Sequence, residues 1–321
     1  ALIDRIRNKS NQGFTDILGG APAKVASALR KLKIDSIFIG SLGRDDFGKK
    51  IIKQFNELEV NLDFLQSNND SSTRVVNVDR DQFGDRFFSG FEPSLHSCFA
   101  DEALSMKLIE KEILNLEKCF LRTQYLVTGT NVLSSPISAE TIFFLLEQAK
   151  KSEVKVVIDL NWREVFWDYS NFASDTSKKG RINLIKNFLN HAHVIKLAKE
   201  EATLFFEIEN PSLISQQMSK RPDVIITDGK NPVSWHINGF QGNTKIPKSQ
   251  TIVDTTGAGD AFLAGLISQF ISFGYPKGEL EIKACVRFAS ACGLLTCHGE
   301  GAIEPQPDYE KVSEFLGSFI S

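Results

Sequence analysis

The residues with the clearest chemical capacity form one run, Asp254-Thr255-Thr256-Gly257-Ala258-Gly259-Asp260-Ala261-Phe262, followed at once by Leu263, Leu266, Ile267 and Phe270 at helical spacing. Small residues directly ahead of a helix let backbone N–H groups approach an anion without side-chain hindrance, and the helix N-terminus adds about half a positive charge. Such a nest suits the negative charge that develops as a phosphoryl group moves. Asp260 in the first turn fits two roles at this stage: a carboxylate that accepts a proton, or one that only complements the helix dipole.

A nest needs elements that hold it at an edge. Ser36–Ile39, Val154–Ile158 and Val224–Ile226 read as buried strands, as do Tyr125–Thr128 and His193–Lys196. Helical patterns follow at Ala21–Leu32, Phe47–Leu58, Ser138–Lys150, Asn183–Leu189 and Ala258–Phe273. This alternation predicts an α/β fold: a doubly wound, mainly parallel sheet flanked by helices. Two stretches break the rhythm, Gln12–Leu18 and Ser72–Ser89. In the second, Thr73, Val75, Asn77 and Val78, then Arg86, Phe87 and Phe88, flank a polar turn and predict a hairpin. The reading is one domain over 1–321, with strands inserted at about 11–19 and 72–90 as a small β-sheet lid. Phe87, Phe88 and Phe91 are candidates for closing over a ligand, with core packing as the equal alternative.

The string DTTGAGDAF resembles the C-terminal signature of the ribokinase and PfkB carbohydrate kinase family. Supporting segments stand in family order: Gly19-Gly20-Ala21-Pro22-Ala23, then Gly40-Ser41-Leu42-Gly43-Arg44-Asp45-Asp46-Phe47-Gly48, then Asp159-Leu160-Asn161-Trp162-Arg163. The resemblance covers nearly the whole chain and is nearest to the fructokinase-like branch. It implies a ribokinase-like fold and an ATP-dependent sugar kinase acting on fructose or a related sugar. It also implies Asp260 as the base that takes the proton of the attacking hydroxyl, with an anion hole from Gly257, Ala258 and Gly259. That agrees with the nest read from the residues, since phosphoryl transfer asks mainly for positioning and charge stabilisation.

Further roles come from the resemblance alone. Sugar contacts are implied for Asp4, Gly19, Gly20 and Arg163; Arg74 and Lys24 join them as candidates. Asp254 is similar to the residue that helps hold a monovalent cation, K⁺, with carbonyls near Gly301. Glu201 aligns with a residue that organises Mg²⁺ through water, and Lys196 is a candidate for phosphate or for the surface. Thr227-Asp228-Gly229 resembles the nucleotide loop, with Gly301 on its adenine side. Ala1-Leu2-Ile3-Asp4 resembles the middle of the family's first strand, which implies residues ahead of Ala1. Two departures bear on the sugar. Lys24 stands where GGAPANVA-like sequences carry Asn, replacing a donor–acceptor amide by a cation suited to an acceptor-rich or anionic group, unless its stem snorkels to solvent. Phe91–His96 lacks the Arg and the Asp of YRNPSAD-like lids.

Composition narrows the class. The 321 residues are 42% hydrophobic and 24% charged, so disorder and fibrous repeats are excluded. Lys+Arg 37 against Asp+Glu 40 gives a net charge of −3, with no electrostatic footprint for nucleic acid or anionic membrane. The partners read are therefore a small-molecule sugar and ATP, with a homodimer left open. No apolar run reaches membrane length, which predicts a cytoplasmic enzyme. Of the five cysteines, Cys285 and Cys292 share a helical face with Phe288, Ala289 and Leu295, which reads as core rather than as a metal site with Cys297 and His298. Rival readings are a catalytically impaired fructokinase-like binding protein and a nucleoside kinase on the same fold. A dinucleotide oxidoreductase is excluded for lack of GxGxxG after the first strand.

Overall fold

Apolar residues on consecutive positions of short strands require helices on both faces of a sheet, and the computed structural model has that arrangement. It describes residues 1–7, 13–80, 86–92, 99–168, 178–247 and 252–318. The strands are β1 (Leu2–Arg7), β2 (Phe14–Gly19), β3 (Gly40–Gly43), β4 (Leu65–Asn68), β5 (Val75–Arg80), β6 (Arg86–Glu92), β7 (Tyr125–Gly129), β8 (Lys155–Asp159), β9 (Val194–Ala198), β10 (Asp223–Thr227), β11 (Val233–Ile237) and β12 (Phe240–Thr244). The helices are α1 (Ala21–Lys31), α2 (Asp46–Glu57), α3 (Met106–Lys111), α4 (Ile113–Phe120), α5 (Pro136–Lys151), α6 (Glu164–Asp168), α7 (Lys178–Leu189), α8 (Lys199–Phe206), α9 (Pro211–Gln216), α10 (Ala258–Phe273), α11 (Glu279–Thr296) and α12 (Tyr309–Gly317).

The main sheet has the order β12-β11-β10-β9-β8-β7. Strands β7 to β10 run parallel, and β11 and β12 close one side as an antiparallel hairpin. Side chains alternate between faces. Val156, Ile158, Ile195, Val224 and Ile226 pack with Leu145, Phe188 and Phe205 on one side. Val157, Val194 and Ile225 pack with Leu29, Leu266 and Val286 on the other. The far edge of β7 faces a cleft whose opposite wall is Ser36–Ser41, and the cleft runs on into the site described below.

A second, four-stranded sheet has the order β2-β1-β5-β6. The predicted hairpin is β5 and β6, with a register shift between Asn77 and Val78. Its turn, 81–85, and the Gln12 end of the predicted 11–19 strand lie outside the described residues, as do the side chains of Phe87 and Phe88.

Two expectations are corrected. Ser36–Ile39 is not a strand: it makes one isolated bridge, Ile37 to Asn61, and regular pairing starts at Gly40. Ile37 is 41% exposed, so the apolar run there is not buried on both faces. Phe91 is core, 7% exposed, with its ring 5.8 Å from Phe99 and 5.2 Å from Phe166. Cys285, Phe288, Ala289 and Cys292 are buried along α11 as read, with Leu295 half-buried at its end. Among the described residues no helix is long and apolar enough to cross a membrane.

Candidate active site

Asp260 lies in the first turn of α10, and the helix begins there because of its glycine. Gly257 is the N-cap with φ +80°, and a Cβ on it would lie 2.8 Å from the Ala302 carbonyl oxygen. Only glycine meets both demands. The next amide, Ala258 N–H, donates to the Thr255 carbonyl at 3.3 Å, so the turn leads straight into a helix head whose first N–H groups lack intrahelical acceptors. Asp254 braces the run from outside: it accepts from Thr256 N–H and Oγ1 on one oxygen and from Gly301 N–H, at 3.0 Å, on the other.

The Asp260 carboxylate is enclosed by protein but opens onto a cavity that Asp4, Gly20, Lys24, Asp159, Arg163, Lys196 and Gly259 also line. Enclosure pushes its pKa up to about 6; Lys24 pulls downward, Asp159 pushes up, and Lys196 and Arg163 pull down. At that value the carboxylate is charged at neutral pH yet basic enough to take a proton.

Two buried ion pairs flank it. Parallel register sets Asp159 at the end of β8 directly across from Lys196 in β9, and Nζ lies 3.1 Å from both carboxylate oxygens. Burial lowers the Lys196 pKa, but Asp159, Glu201 and Asp260 outweigh it and the net shift is upward. A Cβ on Gly259 would lie 3.0 Å from the Lys196 ammonium, so this cation stands beside the helix head and the surface alternative is overturned. On the other side Lys24 Nζ lies 2.9 Å from Asp4 Oδ2. Asp4 Oδ1 would be 2.5 Å from a Cβ on Gly19, which explains the glycine there. Gly20, at φ +88°, then turns the chain into α1. Lys24 is 8% exposed and does not snorkel to solvent, so that alternative is overturned too.

Several predicted residues land elsewhere. Arg74 is not a sugar contact: it is 2% exposed, paired with Asp101 (3.0 Å) and Glu102 (2.7 Å), and its guanidinium lies over the Phe91, Phe99 and Phe166 rings. Glu201 accepts from Trp162 N–H and Ala198 N–H, both at 2.7 Å, so it ties the Asn161–Arg163 loop to the start of α8. Its pKa is raised by burial and by Asp159, against Lys196. Among the described residues no group of three or more His, Cys, Asp or Glu side chains could hold a metal ion. Thr227 ends β10 and Gly229 follows at φ +52°, on the carboxyl edge shared with Asp159 and Ala198. Neither they nor Gly301 line the Asp260 cavity.

Asp159 was missed as a site residue. Its signal was legible: an acidic residue ending an apolar strand, at the edge where open α/β sheets bind ligands. Lys31 was missed as well. Its ammonium donates to the carbonyls of Ile303, Glu304 and Gln306, and Gln306 Nε2 donates to Lys24 O, so α1 is tied to the loop that follows Gly301. Nothing local in the sequence marks that contact across some 270 positions.

Comparison with known proteins adds an independent line. The model for the pfkB family of carbohydrate kinases matches residues 1–309. A probable fructokinase-5 of Arabidopsis thaliana is 30% identical over 301 residues, covering 92% of this chain and 86% of that one. A fructokinase of Vibrio alginolyticus is 27% identical, covering 99% and 97%. The structure of a Xylella fastidiosa fructokinase with bound ATP superposes with a TM-score of 0.85 at 25% identity, covering 100% of this chain and 97% of that one.

Proposed function

The chain belongs to the pfkB family of carbohydrate kinases, and from that premise we propose that it moves the γ-phosphate of ATP to a hydroxyl of a small neutral sugar, fructose or a close relative. It is a phosphotransferase with an alcohol acceptor. The observation that carries the assignment is the Asp260 carboxylate at the head of α10, facing one cavity with a lysine on either side. The sugar hydroxyl attacks the γ-phosphorus, its proton passes to Asp260, and the bond to the ADP oxygen breaks. Gly257, Ala258 and Gly259 keep the helix head clear for the phosphate, and Lys196 adds a fixed cation beside it. Asp4, Gly19, Gly20 and Arg163 line or shape the sugar end. Thr227, Gly229 and Gly301 serve the nucleotide.

ATP brings its own phosphate ligands to a divalent ion, so Mg²⁺ needs few ligands from the protein itself. When bound, Mg²⁺ would neutralise charge on the phosphates; Glu201 would act on it through water, from its fixed position at the start of α8. For K⁺ the fitting element is Asp254, whose buried carboxylate holds the 254–256 turn against Gly301. The neutral sugar follows from Lys24: its charge is already matched by Asp4, so the pocket presents a donor beside an acceptor rather than a bare cation. The cytoplasm as compartment and a homodimer as assembly accompany this reading.

An ADP-release assay with Mg²⁺ against a panel of hexoses, pentoses, sugar acids and nucleosides tests it. Turnover is expected with fructose or a related neutral sugar. Preferential turnover of a sugar acid or a nucleoside would overturn the substrate class.

A further inference from the structure

The groups assigned to the sugar come from two parts of the molecule. Asp4 and Gly19 belong to the four-stranded sheet, and Arg163 to the loop between β8 and α6. Register carries the first part toward the second: Asp4 in β1 lies across from Val76 in β5, and Val76 lies across from Phe91 in β6. Directly opposed residues share a face of a sheet, so Phe91 extends the face that carries Asp4. Its ring lies 5.2 Å from that of Phe166 in α6, and the Phe166 N–H donates to the Arg163 carbonyl at 3.1 Å. The path from Asp4 to Arg163 thus crosses one ring contact.

That contact is built around Arg74. The guanidinium lies 4.8 Å from the Phe91 ring, 5.1 Å from Phe166 and 4.2 Å from Phe99. Nε donates to Asp101 at 3.0 Å, and Nη2 pairs with Glu102 at 2.7 Å. The two acids are fixed in turn, because Ser138 Oγ donates to the Asp101 carbonyl and Ser135 Oγ to that of Glu102, at the head of α5. The Arg74 carbonyl accepts from Ile3 N–H at 2.9 Å, so its backbone belongs to the small sheet. A planar cation can lie on rings and bond two carboxylates at once, which neither a lysine nor an apolar side chain does.

Resting on the reading of Asp4 and Arg163 as sugar contacts, we propose that Arg74 is a positioning residue for the sugar. Without touching it, Arg74 pins the small sheet to the Arg163 loop and so sets the spacing at which Asp4 and Arg163 meet one ligand. The anion site lies outside this path, since Asp159 and Lys196 are held in the main sheet and Gly259 in α10. Sugar affinity should depend on Arg74, and nucleotide affinity should not.

Steady-state kinetics with fructose and MgATP tests this. Arg74→Lys keeps a charge for the acids but loses the flat fork. It should raise KM for fructose roughly 10-fold and change KM for ATP less than about twofold, the mark of a remote displacement felt by one ligand. Phe166→Leu cuts the same path on its other side and should give the same split. The double variant should raise KM no further than the more affected single variant, because both changes break one path. If Arg74→Lys fails to fold, the split in Phe166→Leu decides alone. A role confined to packing predicts a lower Tm with both Michaelis constants unchanged or raised alike, and either result would overturn the proposal, as would additive rises in the double variant. Wild-type enzyme that turns over no neutral sugar would instead overturn the substrate reading on which the role of Arg74 rests.

Discussion

The two lysines beside Asp260 are built by different means. Lys196 and Asp159 are register partners in adjacent parallel strands, so backbone hydrogen bonds of the main sheet fix both ends of the pair. Lys24 and Asp4 belong to different substructures, a helix packed on the main sheet and the central strand of the four-stranded sheet. The backbones of the first pair are fixed within one sheet; the second pair joins the small sheet to α1, which also packs on that sheet through Ala23 and Ala26. Under the proposed function, the phosphate end then rests on the edge of one sheet, and the sugar end on a pair that joins α1 to the small sheet. Substrate preference can then change by altering Lys24 or Asp4 without disturbing the anion site.

The comparison loses its object if Asp260 is not the proton acceptor. Asp260→Asn should retain the fold, seen as an unchanged circular dichroism spectrum, while kcat drops about 10²- to 10⁴-fold, the span of a positioned base. Turnover near wild type would dissolve the arrangement.

Next in size is the division of labour. Lys196→Met should cut kcat/KM for ATP by about 10- to 100-fold, the worth of a contact to a charged group. It should also destabilise by about 3–5 kcal/mol, because Asp159 is left as a buried unpaired charge. Lys24→Met should act chiefly on KM for the sugar. A Lys24 variant that raised KM for ATP alone, or a Lys196 variant that raised KM for sugar alone, would break the distinction between the two ends.

The sequence made one of these ends far more legible than the other. DTTGAGD announced its helix head because glycine at positive φ and small residues before an apolar period are local signals, and α10 runs Ala258–Phe273 as read. Strands β8 to β10 were legible for the same reason, as apolar runs buried on both faces, and β7, read the same way, is a half-buried edge strand. The Lys24–Asp4 link was not, because it joins residues 20 positions apart through the placement of the small sheet. Arg74 misled for a related reason: an arginine beside the predicted lid reads as a contact for a sugar, and only the fold shows three phenylalanine rings and two acids closing on it. The β11–β12 hairpin also escaped notice, since Ser234, His236, Gln241 and Asn243 hide its strand character behind a polar face.

Within the anion site, the two glycines should behave differently. Gly257→Ala places a methyl 2.8 Å from a backbone oxygen at φ +80°, and should cost about 1–3 kcal/mol, measured as a fall in Tm. Gly259→Ala meets only the mobile end of Lys196, at 3.0 Å, within a helix where alanine is favoured. It should spare Tm and show itself in KM for ATP instead. Equal losses of Tm would mean that Lys196 cannot move, making the pair with Asp159 stiffer than its side chains suggest.

The smallest effect concerns which sugar is preferred. In the wild type the Lys24 charge is matched by Asp4, so the site offers a paired donor and acceptor to neighbouring hydroxyls and no net attraction for an acid. Lys24→Asn keeps a donor in the pocket but removes the charge and the reach of the long stem. Asp4 then loses its partner and becomes available to accept from a sugar hydroxyl directly. The ratio of kcat/KM for fructose to that for other neutral sugars should rise a few-fold, about the size of one altered hydrogen bond. Sugar acids should fall further behind, because the variant leaves Asp4 and Asp260 facing them with one compensating cation fewer. An identical ranking of substrates in wild type and variant would show that the Lys24 ammonium does not touch the sugar, and would leave Lys24 with its ion pair to Asp4 alone.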